Sequence, residues 1–264
     1  MNFMYKRHHL VILLLIAIQS TYVFAQKNDF LIHGRVEKLT ENKIALIGSG
    51  SSIEFNFSGN SCNLFLQTTE NHNYVALELD GKYIGRIKIE KGEIQTIPIK
   101  IIKTKKTHHL LVFKATEATN GSVIFSGTTA KLAPIQSIKR KKIEFIGNSI
   151  TCGFGNDAST TPCSTGEWFD QHNAYWAYGP ILSRSLDFDF LLSSVSGIGM
   201  YRNWNDEHLL EPIMPDVYEN LYLNKDNSKP YNFDFQPDIV SICLGTNDLS
   251  DGDGKKTRLP FELI

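Results

Sequence analysis

The sequence predicts an N-terminal all-β sandwich, jelly-roll-like, followed by a three-layer α/β domain. Three observations carry this. Residues 30–136 hold many short stretches in which apolar and polar residues alternate, broken by turn signals and free of any helical period. Beyond residue 142, short continuous apolar runs alternate with longer segments of helical spacing. Between them the chain turns basic over SIKRKK (137–142), which reads as a solvated linker. The boundaries expected are a signal peptide over 1–25, the sandwich over 26–137 and the α/β domain over 138–264.

The elements follow in chain order. Lys6 and Arg7 precede the apolar run Leu10–Ile18, and Val23-Phe24-Ala25 fits the small-residue rule for signal peptidase, with cleavage before Gln26. The apolar run is shorter than the ~20 residues a membrane-spanning helix needs. A secreted or periplasmic protein, with no membrane attachment after cleavage, is the expectation. In SSIEFNFSG, Ile53, Phe55 and Phe57 alternate with Ser52, Glu54 and Asn56. NYVALELDGKYIGRIKI sets Val75, Leu77 and Leu79 on one face and turns at Asp80-Gly81, a strong hairpin signal. HHLLVFKAT and GSVIFSGTTAKL supply further strands.

IEFIG (143–147) then reads as a buried strand. NAYWAYGPILSRSL (173–186) has helical spacing, with Tyr175, Tyr178, Ile181, Leu182 and Leu186 as core candidates. DFLLSSVSG gives a second strand. PDIVSICLGTND (237–248) gives a third, whose continuous apolar run is typical of a parallel strand covered on both faces.

The chain has 264 residues, 42% of them hydrophobic, and a formal net charge of −1. That is ordinary globular composition. Near-neutral charge argues against nucleic acid, whose phosphates require a basic surface. A neutral glycan or a small ester fits better. The four cysteines are Cys62, Cys152, Cys163 and Cys243. Export permits disulfides, and Cys152 with Cys163, flanking one loop, is the best pair; the alternative is that all four are free thiols. Cys243, inside an apolar run, is expected to be buried.

In a parallel α/β sheet, ligands bind beyond the carboxyl ends of the strands. Three such ends carry small polar groups: Gly147-Asn148-Ser149, Ser196-Gly197 and Gly245-Thr246-Asn247-Asp248. Acyl transfer needs a nucleophilic oxygen and donors aimed at the developing oxyanion. Ser149 can supply the first. The Gly197 N–H, unshielded by a Cβ, and the Asn247 amide can supply the second. The alternative for Ser149 is a small polar residue in a turn. The stretch is not a Gly-x-Ser-x-Gly elbow, because Thr151 stands two residues after the serine.

GNSIT, SVSG and GTND resemble the first three blocks of the SGNH (GDSL-like) hydrolases. FIGNSITCGFGN, NAYWAYG and SGIGMYRN are similar to carbohydrate esterase family 2, the acetyl xylan esterase-like group whose members join a β-sandwich to an SGNH domain. The resemblance covers roughly 30–264. It implies Ser149 as nucleophile, an oxyanion hole of Ser149 N–H, Gly197 N–H and Asn247, no metal or cofactor, and removal of O-acetyl groups from acetylated plant polysaccharides such as xylan or glucomannan.

Two departures stand out. Asn148 occupies a position where many SGNH enzymes have Asp. The family's base is a histidine in a C-terminal block, often Asp-x-x-His, and no such block precedes Ile264. The expectation is a C-terminally truncated domain with its base beyond residue 264 and little or no esterase activity as it stands. His172 and His208, the two histidines of the α/β region, are candidate substitutes, with surface or helix-cap roles as their alternative.

Tyr201 and Trp204, just after Gly197, are candidates for stacking on sugar rings, against core packing, which is the reading for Trp176. The Asp-rich NWNDEH and DLSDGDGKK read as solvated loops rather than calcium sites. Two further functions compete with the carbohydrate esterase: an SGNH lipase or aryl esterase, and a non-catalytic glycan-binding protein. A monomer is expected.

Overall fold

The computed structural model describes residues 29–102, 105–206, 211–226 and 229–255. Residues 1–25, where a signal peptide was expected, His208 and the last nine residues lie outside them.

The first eleven strands build two antiparallel sheets. One holds β1 (Leu31–His33), β4 (Ser52–Ser58), β9 (His108–Lys114), β6 (Asn73–Leu79) and β7 (Lys82–Ile89) in that spatial order, with β11 (Lys131–Ala133) also on β4. The other holds β2 (Val36–Thr40), β3 (Lys43–Leu46), β10 (Val123–Thr128), β5 (Cys62–Gln67) and β8 (Gln95–Ile99). Ile53, Phe55 and Phe57 of β4 are fully buried, as are Val75 of β6, Leu64 and Leu66 of β5 and Val123 of β10. Both sheets thus feed one apolar core. The β6–β7 turn has positive φ at both Asp80 (52°) and Gly81 (76°), the geometry of a type I′ hairpin turn. The Asp80 carboxylate caps the neighbouring strand by accepting from the His109 N–H at 3.0 Å.

The remaining strands form a parallel sheet, with β12 (Lys142–Gly147) between β13 (Asp189–Ser194) and β14 (Ile239–Cys243). Three short helices accompany it: α1 (Ser149–Cys152), α2 (Tyr178–Leu186) and α3 (Met214–Val217). Ala76 and Phe113, on the outer face of the first antiparallel sheet, pack against Ile143, Phe145, Tyr175 and Leu192 of the parallel-sheet region. Polar contacts reinforce this junction. The Arg35 guanidinium, fully buried, reaches the carbonyls of Tyr218 and Asn220 and the Ser193 hydroxyl. Tyr175 donates to Glu78 at 2.6 Å.

Four expectations fail here. β14 is not covered on both faces: Ile239, Val240 and Ile242 are exposed, Ile242 by 64%. It lies at the sheet edge, paired only with β12 among the described strands. Cys243 is exposed for the same reason. The segment 173–186 splits into a 3-10 turn at Ala174–Trp176 and then α2, and in α2 the buried residues are Gly179, Pro180 and Ser183 rather than Ile181, Leu182 and Leu186. Gly179 sits so close to the Phe145 ring that a Cβ there would approach it to 2.9 Å. Gly179 against the Phe145 ring, with the Tyr178 ring edge-on to Phe145 at 5.5 Å, joins this helix to the sheet, not the stripe of Ile181, Leu182 and Leu186. Trp176 is exposed instead of buried, lying edge-on to Tyr83 and Tyr175.

Candidate active site

β12 is the register reference for the site. Gly147 aligns with Ser194 of β13 and with Cys243 of β14 in parallel ladders. The three strands therefore end level, and Ser149, Gly197 and Asn247 follow within a few residues on one edge of the sheet. This is the edge where an open parallel sheet leaves room for a ligand.

The turn from β12 into α1 is tight for identifiable reasons. A Cβ on Gly147 would lie 2.0 Å from Thr151 Oγ1 and 3.2 Å from the Cys243 carbonyl oxygen. Only glycine lets the helix start that soon. Asn148 caps α1, its side chain accepting from the Ile150 N–H at 3.2 Å. Asn serves this capping role as well as Asp does. Gly153 ends the helix in the left-handed conformation, φ 80°. Ser149, the first residue of α1, is half-buried, and its hydroxyl makes no hydrogen bond to any described residue. Its N–H belongs to the first helical turn, whose donors have no acceptor within the helix.

Gly197 has φ 79°, and nothing lies within 4 Å of where its Cβ would be. Its N–H donates to no described group, while its carbonyl accepts from Trp204 N–H at 2.8 Å. The preceding residue is held firmly. Ser196 donates its N–H (3.1 Å) and its hydroxyl (2.5 Å) to the carboxylate of Glu117, a fully buried residue that follows β9. Thr119 Oγ1 donates to the same carboxylate. Lys114, also fully buried, donates through Nζ to the carbonyls of Thr116 (3.1 Å) and Glu117 (2.7 Å). Desolvation brings its ammonium down to about 7.

Asn247 is buried, and its amide donates to the Ile198 carbonyl at 2.7 Å, which fixes the plane of the carboxamide. Asp248 accepts from the N–H groups of Met200 (2.9 Å), Tyr201 (2.6 Å) and Arg202 (3.2 Å). Arg202 Nε returns a bond to the Asp248 carbonyl at 2.8 Å. The third strand end is thereby tied to the loop that follows Gly197.

Tyr201 and Trp204 are exposed by 56% and 46%. Trp204 shares a cleft of about 510 Å³ with Ser196 and Gly197, whereas Tyr201 is not among the residues lining it. Phe154 and Trp168, also exposed, stack on each other 6.1 Å apart just beyond α1.

Cys152 and Cys163 do not pair. Cys152 is buried in α1 with its thiol against Ser194 Oγ at 3.2 Å, and Cys163 is exposed in the following loop; both are free. Burial pushes the Cys152 thiol well above its usual range.

His172 is fully buried beneath Phe154 and Trp168. Neither ring nitrogen has a hydrogen-bond partner, Ser149 included. Desolvation, then the nearby Arg86 and Lys114 charges, lowers its pKa to about 4, so the ring is neutral. His208 lies outside the described residues. Among the described residues, no group of three or more His, Cys, Asp or Glu side chains could hold a metal ion.

Sequence reasoning missed Glu117, Lys114, Arg202 and the buried state of His172. Asp248 was legible as a neighbour of Asn247 in GTND. Glu117 carried no signal, because it stands 79 residues from Ser196, beyond the end of β9.

A level row of parallel strand tips carrying a serine, a glycine main-chain donor and an asparagine on one sheet edge fits a carboxylic ester hydrolase. The "Carbohydrate esterase 2 N-terminal" family matches residues 32–135. The chain is 30% identical over 272 residues to an acetylxylan esterase / glucomannan deacetylase of Cellvibrio japonicus, with 96% of this chain and 72% of that protein covered. It is 30% identical over 234 residues to the cellulase/esterase CelE of Acetivibrio thermocellus, covering 86% of this chain but only 28% of that protein. Its fold matches a family two carbohydrate esterase from Clostridium thermocellum, solved with cellohexaose, at TM-score 0.75 and 29% identity, over 84% of this chain and 67% of that one. The chain belongs to carbohydrate esterase family 2.

Proposed function

We propose that this protein is a secreted O-acetylesterase that removes acetyl groups from plant polysaccharides such as xylan or glucomannan through an acyl-enzyme on Ser149. The observation that carries the reading is the level register of Gly147, Ser194 and Cys243, which sets Ser149, Gly197 and Asn247 on one edge. The names of the Cellvibrio relative support the substrate class. In this reading the α/β region is the three-layer SGNH part and the antiparallel region its jelly-roll-like companion.

Ser149 Oγ attacks the acetyl carbonyl carbon. The carbonyl electrons move to oxygen, where the Ser149 and Gly197 N–H groups and the Asn247 amide stabilise the charge. Collapse breaks the bond to the sugar oxygen, which leaves as a hydroxyl once protonated. Water then attacks the acetyl-serine, releasing acetate and restoring Ser149. The group that takes the serine proton comes from outside the described residues, because no described histidine is hydrogen-bonded to Ser149. Trp204, in the cleft beside Gly197, and Tyr201 offer faces for sugar rings.

The test is acetate release from acetylated xylan, with labelling by a fluorophosphonate probe, for the full-length protein and Ser149→Ala. Loss of a triad-type nucleophile is expected to cut turnover by about a thousandfold or more and to abolish labelling. Undiminished release by the alanine variant rejects the reading. The exposed aromatic rings of Phe154, Trp168, Tyr201 and Trp204 favour glycan binding without catalysis as a second reading. Cellohexaose binding by a protein that the probe does not label would establish it.

A further inference from the structure

We infer that Glu117, contributed by the antiparallel β region, is a positioning residue for the esterase step: through Ser196 it aims the Gly197 N–H at the acetyl group that Ser149 attacks. The inference rests on the reading of Ser149 and Gly197 given above.

Glu117 is fully buried. A carboxylate taken out of water is tolerated only when hydrogen bonds and charge compensate it. The structure supplies the Ser196 N–H at 3.1 and 3.3 Å, the Ser196 hydroxyl at 2.5 Å and the Thr119 hydroxyl. Two of those donors belong to one residue, Ser196, in the turn beyond β13 and immediately before Gly197. Stability alone gives no reason for a carboxylate here, since a well-packed apolar side chain is often as good or better in such a place. What the carboxylate adds is direction, because bonds to an ionised acceptor are short and strong.

Gly197 needs that direction. It has no side chain, and nothing packs within 4 Å of its Cβ position. Its peptide orientation depends on Ser196 on one side and on the Trp204 N–H to Gly197 carbonyl bond on the other. Glu117 also faces the Cys152 thiol at the end of α1, the helix that Ser149 begins. The nucleophile's helix and the donor's loop therefore rest against one carboxylate. Beneath it, the Lys114 ammonium grips the Glu117 carbonyl and anchors the backbone that carries the side chain.

The test compares wild type, Glu117→Gln, Ser196→Ala and the double variant as full-length proteins. It measures kcat and KM for 4-nitrophenyl acetate, the rate of Ser149 labelling by a fluorophosphonate, and Tm. Removing an oxyanion donor outright lowers kcat by about 10²–10³-fold. Misaiming one is expected to lower kcat and the labelling rate by about tenfold to a hundredfold, with KM within about twofold. Since the two residues act through one contact, the double variant should lose little more than the worse single variant. Ser196→Ala leaves the backbone bond to Glu117 in place and keeps the test open should Glu117→Gln fold poorly. Wild-type kcat and labelling in both single variants overturn the inference. So does a loss that disappears on assay well below a lowered Tm, which marks a purely structural role. If wild type itself is folded but neither labelled nor active, the Ser149 reading fails and the inference falls with it.

Discussion

Arg35→Met tests what joins the two sheet systems. Arg35 leaves the β1–β2 turn and buries its guanidinium completely. Nη1 donates to the Asn220 carbonyl at 2.8 Å; Nη2 donates to the Tyr218 carbonyl at 2.9 Å and to Ser193 Oγ at 3.1 Å. The group lies 4.0 Å over the Tyr231 ring. Ser193 Oγ passes the interaction on, donating to Glu144 at 2.7 Å, and Tyr218 OH donates to the same buried carboxylate at 2.9 Å. Desolvation lowers the Arg35 pKa to about 10, so the side chain stays cationic at neutral pH.

Methionine fills similar space but leaves two buried carbonyls without a donor and Glu144 without its nearby cation. Breaking one side of a buried charge network typically costs about 3–5 kcal/mol. At ~2–4 °C per kcal/mol for a protein of this size, Tm should fall by about 6–20 °C. Urea unfolding at 25 °C, followed by circular dichroism, measures the same loss as a shift in midpoint at constant m. Arg35→Met/Glu144→Leu should recover part of the loss, because the stranded carboxylate goes too. A loss below about 1 kcal/mol for Arg35→Met would refute the reasoning.

Two further outcomes follow from other groups. Burial alone would raise the Glu54 pKa, but hydrogen bonds from His109 (3.0 Å) and His33 (2.8 Å) outweigh it and hold the carboxyl at about 2. Its contribution is complete above its ordinary 4.5 and is lost as pH falls toward 2. His109 is raised above its ordinary 6.5, chiefly by its bond to Glu54, so its contribution is complete below 6.5 and is lost as pH rises through the raised value. Both are present between 4.5 and 6.5, and Glu54→Gln should therefore cost more stability near pH 5.5 than near pH 8.5; equal costs in urea melts would reject the pairing. Iodoacetamide should modify Cys163 and Cys243 in the native protein and reach Cys62 and Cys152 only after unfolding. A mass spectrum showing Cys152 joined to Cys163 would contradict the free thiols.

Much of the fold was legible because local periodicity reports it. Ile53, Phe55 and Phe57 face the core as their alternation demands, and Asp80-Gly81 makes the turn that the dipeptide favours. The candidate site was legible because its residues sit at strand ends, where sequence position fixes the edge of a parallel sheet. The exposure of β14 and of Ile181, Leu182 and Leu186 was not legible. An apolar run declares that it can be buried, not which neighbour covers it. The Cys152–Cys163 pair misled for a related reason: closeness along the chain does not bring a helix-end thiol and a loop thiol to face each other.

The sequence by itself determined the succession of elements and the place of the three strand ends, since both depend on contacts between near neighbours and on fixed repeat lengths. Only the tertiary structure decided which polar residues serve the site. Lys114 and Glu117 look ordinary in the chain, as does Arg35 at the junction of the two sheet systems. They matter because packing one sheet system on another removed all three from water, while the third strand end carried Asp248 to the loop after Gly197. A buried charge must find partners: Lys114 finds them two and three residues on, whereas Arg35 and Glu117 also reach residues 79 or more positions away, which only the fold brings near.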